Sequence, residues 1–334
     1  MTDGYRQMID TLSRCKRVLV TTHVRPDGDA LGSTAAMVMG LKTKGIDATV
    51  LLLSHLPRKY AFIYEDNAIP FIDVERGFPA DFSLDHYDAL LVIDTGTWSQ
   101  LPDLEQRVAT YAKPKLVIDH HLTQQDWADQ KLVVTEAAAA GEIMFELLQQ
   151  WDVELDKPIA TALFLAICTD TGWFQFSNTR PFTMHLAAEL MEAGVDTDRM
   201  YQLLYQNERA ERIALQARAL QSLELLEGGK LAVITVTRED FEKSKAAVPD
   251  TENLINLPLQ IRTVEVSLLF TEPLDAGPVR VSLRSKGAVD VAKFAEQFGG
   301  GGHARASGLK VDGRFSEVRT RVVNAARAAL PATA

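Results

Sequence analysis

Apolar positions in this chain fall first into short β-rich runs separated by stretches of helical spacing. RVLVTT (17–22) is followed by ALGSTAAMVMGLKTKG (30–45), which Gly45 closes, and then by DATVLLL (47–53). Strand, helix, strand in that order predicts a βαβ unit. Further strands are predicted at YDALLVID (87–94), KLVID (115–119) and KLVVTE (131–136), with helices at AAGEIMFELLQQW (139–151) and PIATALFLAIC (158–168). Strands that are apolar along their whole length need cover on both faces, so an α/β fold with a mostly parallel sheet flanked by helices follows.

Between about residues 181 and 227 the strand signals stop. MHLAAELMEAG (184–194) and RMYQLLYQNERAERIALQARALQSLELLE (199–227) carry helical spacing, with EGG (227–229) as the stop. Strands resume as KLAVITVT (230–237), VEVSLLFTE (264–272) and VRVSLRS (279–285). After them come a helix DVAKFAEQF (290–298), a glycine cluster GGGGHARASG (299–308) and a last helix RFSEVRTRVVNAARAAL (314–330). The expected organisation is a first α/β domain over 1–190, a helical connector over 191–229 and a second, smaller α/β domain over 230–330. No internal repeat is visible.

Length and charge narrow the partners. A chain of 334 residues exceeds one ordinary hydrophobic core and suits two domains. Its 45 acidic against 35 basic residues leave a net charge of -10, which disfavours long nucleic acid held through many phosphates. Any nucleotide partner should be short or small, and long duplexes are not expected. The only cysteines are Cys15 and Cys168, so a disulfide framework is not expected and a reducing compartment is. No apolar run approaches the roughly 18 residues of a membrane span, and MTDGYRQMID lacks the order of a signal peptide. A soluble cytoplasmic protein without a membrane partner is the expectation; the number of assembled chains stays open, a homodimer among the options.

Candidate chemistry gathers at the strand ends. His23, Asp27 and Asp29 follow the first strand in HVRPDGD (23–29), Asp94 lies in VIDTG (92–96), and Asp119, His120 and His121 end VIDHH (117–121). In an open α/β sheet the ligand crevice lies outside the carboxyl ends of the strands, so residues distant in sequence can converge there. Converging carboxylates repel one another unless cations neutralise them. Imidazole and carboxylate donors without thiolate suit a hard or borderline divalent ion, and several carboxylates suit a pair of ions sharing one. Manganese ranks first, with magnesium, cobalt and zinc behind it. Taken singly each residue has a bland role: Asp29 a helix N-cap, the two adjacent histidines a polar loop, and His55, His86 and His185 surface or satisfied core positions. Their joint occurrence is what points to metal.

A second cluster lies near the C-terminus. Gly299 to Gly302, ahead of His303, Arg305 and Ser307, allow a backbone path whose N–H groups can cradle a phosphate, although a flexible loop would use the same residues. Alternation in VRVSLRS puts Ser282 and Arg284 on one strand face and Val281, Leu283 and Ser285 on the other. A strand arginine beside such a glycine cluster can form charge-assisted hydrogen bonds with a phosphate.

HVRPDGD, VIDTG, VIDHH and TDTGWF (169–174), together with VSLRS (281–285) and GGGGHARASG, resemble the motifs of the DHH phosphoesterases over nearly the whole chain. The resemblance implies two manganese-type ions, with His23 and Asp27 on the first, Asp29, His120 and Asp170 on the second, and Asp94 bridging both. Asp119 would orient its neighbours, and His121 would face the substrate phosphate. Asp170 is proposed by the resemblance alone, since the end of an apolar helix is by default a cap or surface position. Four ligand carboxylates would balance two divalent ions, so charge that attracts an anionic substrate must come from elsewhere. The family's C-terminal domain binds the nucleotide portion of the substrate and presents it across an interdomain cleft. Arg284, Ser282, His303 and Ser307, with Gly301 and Gly302, become the substrate-binding candidates, and Arg262 and Arg305 join them.

Within the family, a long single-strand exonuclease would carry an oligonucleotide-binding barrel and a basic groove, a pyrophosphatase a basic C-terminal motif, and a membrane-bound cyclic-dinucleotide phosphodiesterase upstream spans. The compact two-domain plan is most similar to the nanoRNase and pAp phosphatase group. It implies release of mononucleotides from very short RNA and removal of the 3′-phosphate of 3′-phosphoadenosine 5′-phosphate (pAp). A soluble phosphodiesterase for linear or cyclic dinucleotides such as pApA or cyclic di-AMP is the alternative. A non-catalytic nucleotide-binding regulator is the reading from another class, and it predicts a missing metal ligand where every position is filled.

Overall fold

The computed structural model describes residues 3–330. The chain divides into two units, at Asn207 and Glu208. The first is built on strands β1 (Arg17–Thr21), β2 (Asp47–Leu52), β3 (Phe71–Asp73), β4 (Ala89–Ile93), β5 (Lys115–Asp119) and β6 (Gln130–Val133). They form one sheet in the order β3-β2-β1-β4-β5-β6, and every neighbouring pair is parallel. The order reverses between β1 and β4, which makes their carboxyl ends the switch-point crevice of an open α/β sheet. β3 escapes the sequence pattern because three residues are too few to show alternation.

Helices α1 (Asp3–Leu12), α2 (Gly28–Thr43), α3 (Ala61–Asp66), α4 (Glu105–Val108), α5 (Ala140–Gln150), α6 (Lys157–Asp170), α7 (Pro181–Glu192) and α8 (Thr197–Tyr205) complete the unit. Both sheet faces are covered, as fully apolar strands require: Val18 and Val20 of β1 enter the core with α2, α5 and α6, while Leu19 enters the opposite core with Leu90 and Val92. α2 ends where the sequence places a stop, at Gly45 with φ 75°. α6 begins on Asp156, whose carboxylate accepts from the Ile159 N–H at 3.0 Å, with Pro158 in the first turn.

α2 and α6 approach very closely. A Cβ on Gly32 would lie 2.4 Å from the Ala162 carbonyl oxygen, and one on Gly28 2.4 Å from the Thr169 hydroxyl. Gly141 of α5 makes the third close approach, 2.6 Å from the Ala166 methyl. These contacts draw the N-termini of α2 and α5 to the C-terminus of α6.

The helical stretch expected as a connector over 191–229 is shared between the units. α7 and α8 bury Leu186, Leu190, Met200 and Leu204 in the first core. α9 (Ala210–Gln221) buries Leu215 and Ala219 in the second. Helix does not continue to Glu227, because the Ser222 hydroxyl donates to the Ala219 carbonyl and accepts from the Thr235 N–H, both at 2.7 Å. The next residues therefore extend as a strand, β7 (Glu224–Leu226), paired with β8.

The second unit continues with β8 (Leu231–Val236), α10 (Arg238–Ser244), β9 (Val266–Thr271), β10 (Val279–Ser285), α11 (Val291–Glu296), β11 (Gly301–His303), β12 (Ala306–Val311) and α12 (Phe315–Ala329). Its sheet runs β11-β12-β10-β9-β8-β7, antiparallel except for β8 with β9. Val279, Val281 and Leu283 pack with residues of α11 and α12, and Ile234 and Leu269 pack on the other face with α9 and α10. The glycine cluster is a hairpin rather than a loop: Gly301–His303 pair with Ala306–Gly308. Glycine carries no side chain to alternate, so the strand leaves no mark in the sequence.

Because a Cβ at residue 32 meets backbone that cannot step aside, Gly32→Ala should cost about 1–3 kcal/mol. Urea unfolding followed by circular dichroism would show it, and an unchanged midpoint would mean that α2 and α6 can separate freely.

Candidate metal centre

Side chains from three strand ends and one helix end meet in the switch-point crevice. His23 follows β1; its Nδ1 lies 3.0 Å from the Val24 carbonyl, and its Nε2 is 3.5 Å from Asp94 Oδ2 and 4.0 Å from Asp27 Oδ1. Asp27 is the N-cap of α2 and accepts from the N–H groups of Asp29 and Ala30 at 3.0 and 3.1 Å. Asp29, buried in the first turn, does not cap its own helix. Its carboxylate accepts from the N–H groups of Ala140 and Gly141 at 2.7 and 3.0 Å, so it holds the N-terminus of α5, and Ser33 donates to it at 2.9 Å.

Asp94 stands at the centre. It follows β4 in a left-handed conformation, φ 66°, which aspartate tolerates better than most side chains. Its Oδ2 faces His23, while Oδ1 lies 3.3 Å from His120 Nε2 and 3.6 Å from His121 Nδ1. Oδ1 is buried and has no hydrogen bond. His120 Nε2 also lies 3.7 Å from both Asp29 Oδ2 and Asp170 Oδ2, and its Nδ1 is 3.2 Å from the Ala137 carbonyl. Asp170 is the last residue of α6.

Three groups of donors therefore lie close enough to hold a metal ion: His23, Asp27 and Asp94; Asp29, His120 and Asp170; and Asp94, His120 and His121. The donor set suits a cation. Both Nδ1 atoms face backbone carbonyls, the arrangement that leaves Nε2 of His23 and His120 to ligate, and the orphaned Asp94 oxygen points between the groups.

As protein groups alone, these side chains are strongly coupled. Burial and the Asp94 charge push Asp29 well above the usual carboxylate range, and burial pushes Asp170 up to about 6. Burial opposes the charged form of both histidines, yet their contacts with Asp94 outweigh it and lift His23 to about 9 and His120 to about 10. Asp94, although buried, is held below its ordinary value by His120 and His23. The two imidazolium protons thus stand where a cation would relieve the same crowding.

Asp119 plays another part. Fully buried, its Oδ1 accepts from the backbone N–H of His120 and His121 at 2.8 and 3.1 Å and lies 2.8 Å from His121 Nδ1. Gln124 donates to its Oδ2 at 2.6 Å. The hydrogen bond to Asp119 raises the pKa of His121, whose ring stays more than half exposed. Gln124 reaches in only because residue 96 is glycine, where a Cβ would sit 1.9 Å from the Gln124 side-chain oxygen.

Gln124, Ser33, the Ala140–Gly141 helix start and Asn178, whose amide donates to the Ala138 and Asp170 carbonyls at 3.0 and 3.2 Å, escaped the sequence reading. They are small or neutral residues in polar loops and helix starts, and no spacing rule marks them.

In the second unit, strand register sorts the substrate-binding candidates by face. Arg284 pairs across with Ala306, Ser282 with Gly308, and those two with His303 and Gly301. Ser282, Arg284, Gly301 and His303 accordingly share one face. Gly302 and Ser307 point to the other, where the buried Ser307 hydroxyl donates to the Val291 carbonyl of α11 at 2.6 Å. Burial lowers the pKa of Arg284, whose Nη1 donates to the Leu283 carbonyl at 3.0 Å. Arg262 and Arg305 are exposed.

Residues 17–167 match the model of the DHH family, N-terminal domain, and residues 228–331 match the DHHA1 domain. The chain belongs to the DHH family of phosphoesterases, in its two-domain form. It is 27% identical over 308 residues to the bifunctional oligoribonuclease and PAP phosphatase NrnA of Bacillus subtilis, with 91% of this chain and 92% of that one covered. To the protein of the same name in Thermus thermophilus it is 29% identical over 317 residues, covering 93% and 89%. Among solved structures, an exopolyphosphatase-related protein from Bacteroides fragilis shares the fold at a TM-score of 0.82 and 23% identity, covering 98% and 96%.

Because His23 and His120 hold protons up to about 9 and 10, a metal must displace them on binding. Affinity should therefore climb with pH between about 6 and 9, with proton release visible by calorimetry in buffers of different ionisation enthalpy. Binding without proton release would refute that balance. Gln124→Ala should lower kcat roughly 10-fold or more while metal affinity holds, since only the Asp119–His121 arrangement loosens.

Proposed function

We propose that this chain is a two-metal phosphoesterase that releases mononucleotides from very short RNA and removes the 3′-phosphate of pAp. One observation carries the reading: the two oxygens of Asp94 face two separate donor groups, His23 with Asp27 and His120 with Asp29 and Asp170. A shared carboxylate between two such groups is the layout of a two-ion centre. The names of the curated relatives, aligned over about nine-tenths of this chain, support the choice of substrates.

His23, Asp27 and Asp94 would hold one ion, and Asp29, His120, Asp170 and Asp94 the other. Manganese suits this oxygen-rich donor set with two imidazoles and no thiolate. Held by these residues, divalent ions would supply Lewis-acid polarisation of the phosphoryl group and a more acidic attacking water. The chain's own groups do the rest. Asp119 fixes the His121 ring through Nδ1, which leaves Nε2 turned outward to bind a phosphoryl oxygen or to protonate the departing one. Four carboxylates neutralise two divalent ions, so attraction for the anionic substrate falls to the second unit. There the partly buried Arg284 and its face-mates Ser282, His303 and Gly301 take the nucleotide, with Arg262 and Arg305 as peripheral charge. Gly302 and Ser307 act through the hairpin's shape. The buried, unpaired state of Cys15 and Cys168 is consistent with a reducing cytoplasm. Among the described residues no helix is long and apolar enough to cross a membrane.

A manganese-supplemented panel of pAp, RNA di- to pentanucleotides, pApA, cyclic di-AMP and a 24-mer tests the assignment. Short RNA and pAp should turn over fastest, whereas preference for the 24-mer or for cyclic di-AMP would overturn the substrate choice. Asp94→Asn should bring turnover to background with the fold retained, and near-normal rates would remove the bridging role. Arg284→Ala should raise KM about 10-fold or more with a smaller change in kcat.

A further inference from the structure

One edge of the first unit carries a run of aromatic rings for which the metal centre has no use. Trp173 and Phe174 follow Asp170 closely, on a turn where Gly172, Trp173 and Phe174 all have positive φ, 56°, 60° and 64°. Bulky side chains seldom adopt that conformation, and such strain concentrates at functional sites. The turn sets Trp173 edge-on to two tyrosines of α8, 5.2 Å from Tyr201 and 5.7 Å from Tyr205 between ring centroids. The two tyrosines lie one helical turn apart, 5.0 Å from each other, and are 40% and 44% exposed. Beside them is a cleft of about 520 Å³ lined by Phe164, Trp173, Phe174, Met191 and Tyr201, with Asp198 as its one carboxylate.

At its other end the run meets a cation. Lys59 Nζ lies 5.9 Å from the Tyr205 ring and 4.9 Å from the Tyr60 ring. Tyr60 is buried at the start of α3. Tyr60, Lys59, Tyr205, Tyr201 and Trp173 thus form one continuous strip, whose Trp173 end lies on the turn that follows Asp170. Exposed rings next to an ammonium are how proteins hold single-stranded nucleic acid without reading its sequence, bases stacking on the rings while the cation meets the backbone. A second copy of this chain would also cover apolar rings, but it gives no reason for the strip to end on the turn that follows Asp170 or to carry a lysine between its tyrosines.

We propose that this strip is a nucleobase track: bases of a single-stranded RNA stack on Tyr205 and Tyr201 and reach the adjoining cleft while a phosphate of the same strand lies at the metal centre. The inference rests on the phosphoesterase reading and extends it, by tying substrate length to named rings. Tyr201→Ala and Tyr205→Ala should each lower kcat/KM for a pentanucleotide about 5- to 100-fold and for pAp less than about twofold, since a single nucleoside does not extend along the strip. The Phe variants keep the ring and should stay near wild type. Anisotropy of a labelled penta-adenylate with wild type and variants tests the track apart from turnover. If wild type binds it and the Ala variants bind it more weakly, the track stands even if RNA is not the hydrolysed substrate. Equal losses on pAp and pentanucleotide would assign the tyrosines a structural role and overturn the track, as would unchanged binding, or absence of binding by wild type. A shift to smaller assemblies by light scattering, without length-dependent loss, would overturn it in favour of an interface between copies.

Discussion

Negative charge crowded into a buried crevice governs the design of the first unit. Asp29 and Asp94 are almost completely enclosed, and Asp27 and Asp170 lie within the same groups of donors. Carboxylates so placed remain ionised only if positive charge stands among them. Two imidazoles serve that need in the protein by itself, and Asp94, between them, is held in its charged form. Divalent cations answer the same need with more charge and with reactivity toward phosphate esters.

Holding those groups in place is the task of the helices. Gly28 and Gly32 on α2 and Gly141 on α5 allow backbone approaches that any side chain would block. The carboxylates do double duty there: Asp27 caps α2, and Asp29 reaches across to cap α5. Each of these carboxylates is anchored by the secondary structure that delivers it, so its orientation is set by the fold. The buried Glu142 of α5 extends the scheme, gathering the Ala138 N–H, Thr183 and Arg180, and so ties the segment after Asp170 back to the same helix. Gly96, two residues after Asp94, serves a different end, since it admits Gln124 to Asp119, and Asp119 in turn holds the His121 ring through Nδ1.

The second unit is organised in another way. A strand face needs no buried charge cluster to present an arginine. Register alone places Arg284, Ser282, His303 and Gly301 together, and the four glycines matter less as a flexible loop than as residues that let a hairpin lie flat beside β10.

The strand ends, the helices between them and the motifs at those ends were legible in the sequence, because fully apolar runs, capping residues and strand alternation are local properties of the chain. His23, Asp94 and His120 could be assigned to a common crevice because each follows an apolar strand of an open α/β sheet, and the two faces of β10 could be read from alternation. What the sequence could not show depends on contacts across long separations. The order that puts β4 beside β1, the hand-over of Asp29 to the start of α5, the Gln124–Asp119 bond and the end of α9 at Ser222 each join residues whose neighbourhood exists only once the sheets have formed. The hairpin in the glycine cluster was hidden for a related reason: residues without side chains carry no pattern, and only their hydrogen-bonded partners make them a strand. Ser307 shows the same limit: the family resemblance made it a substrate-binding candidate, and register turns its hydroxyl inward to α11.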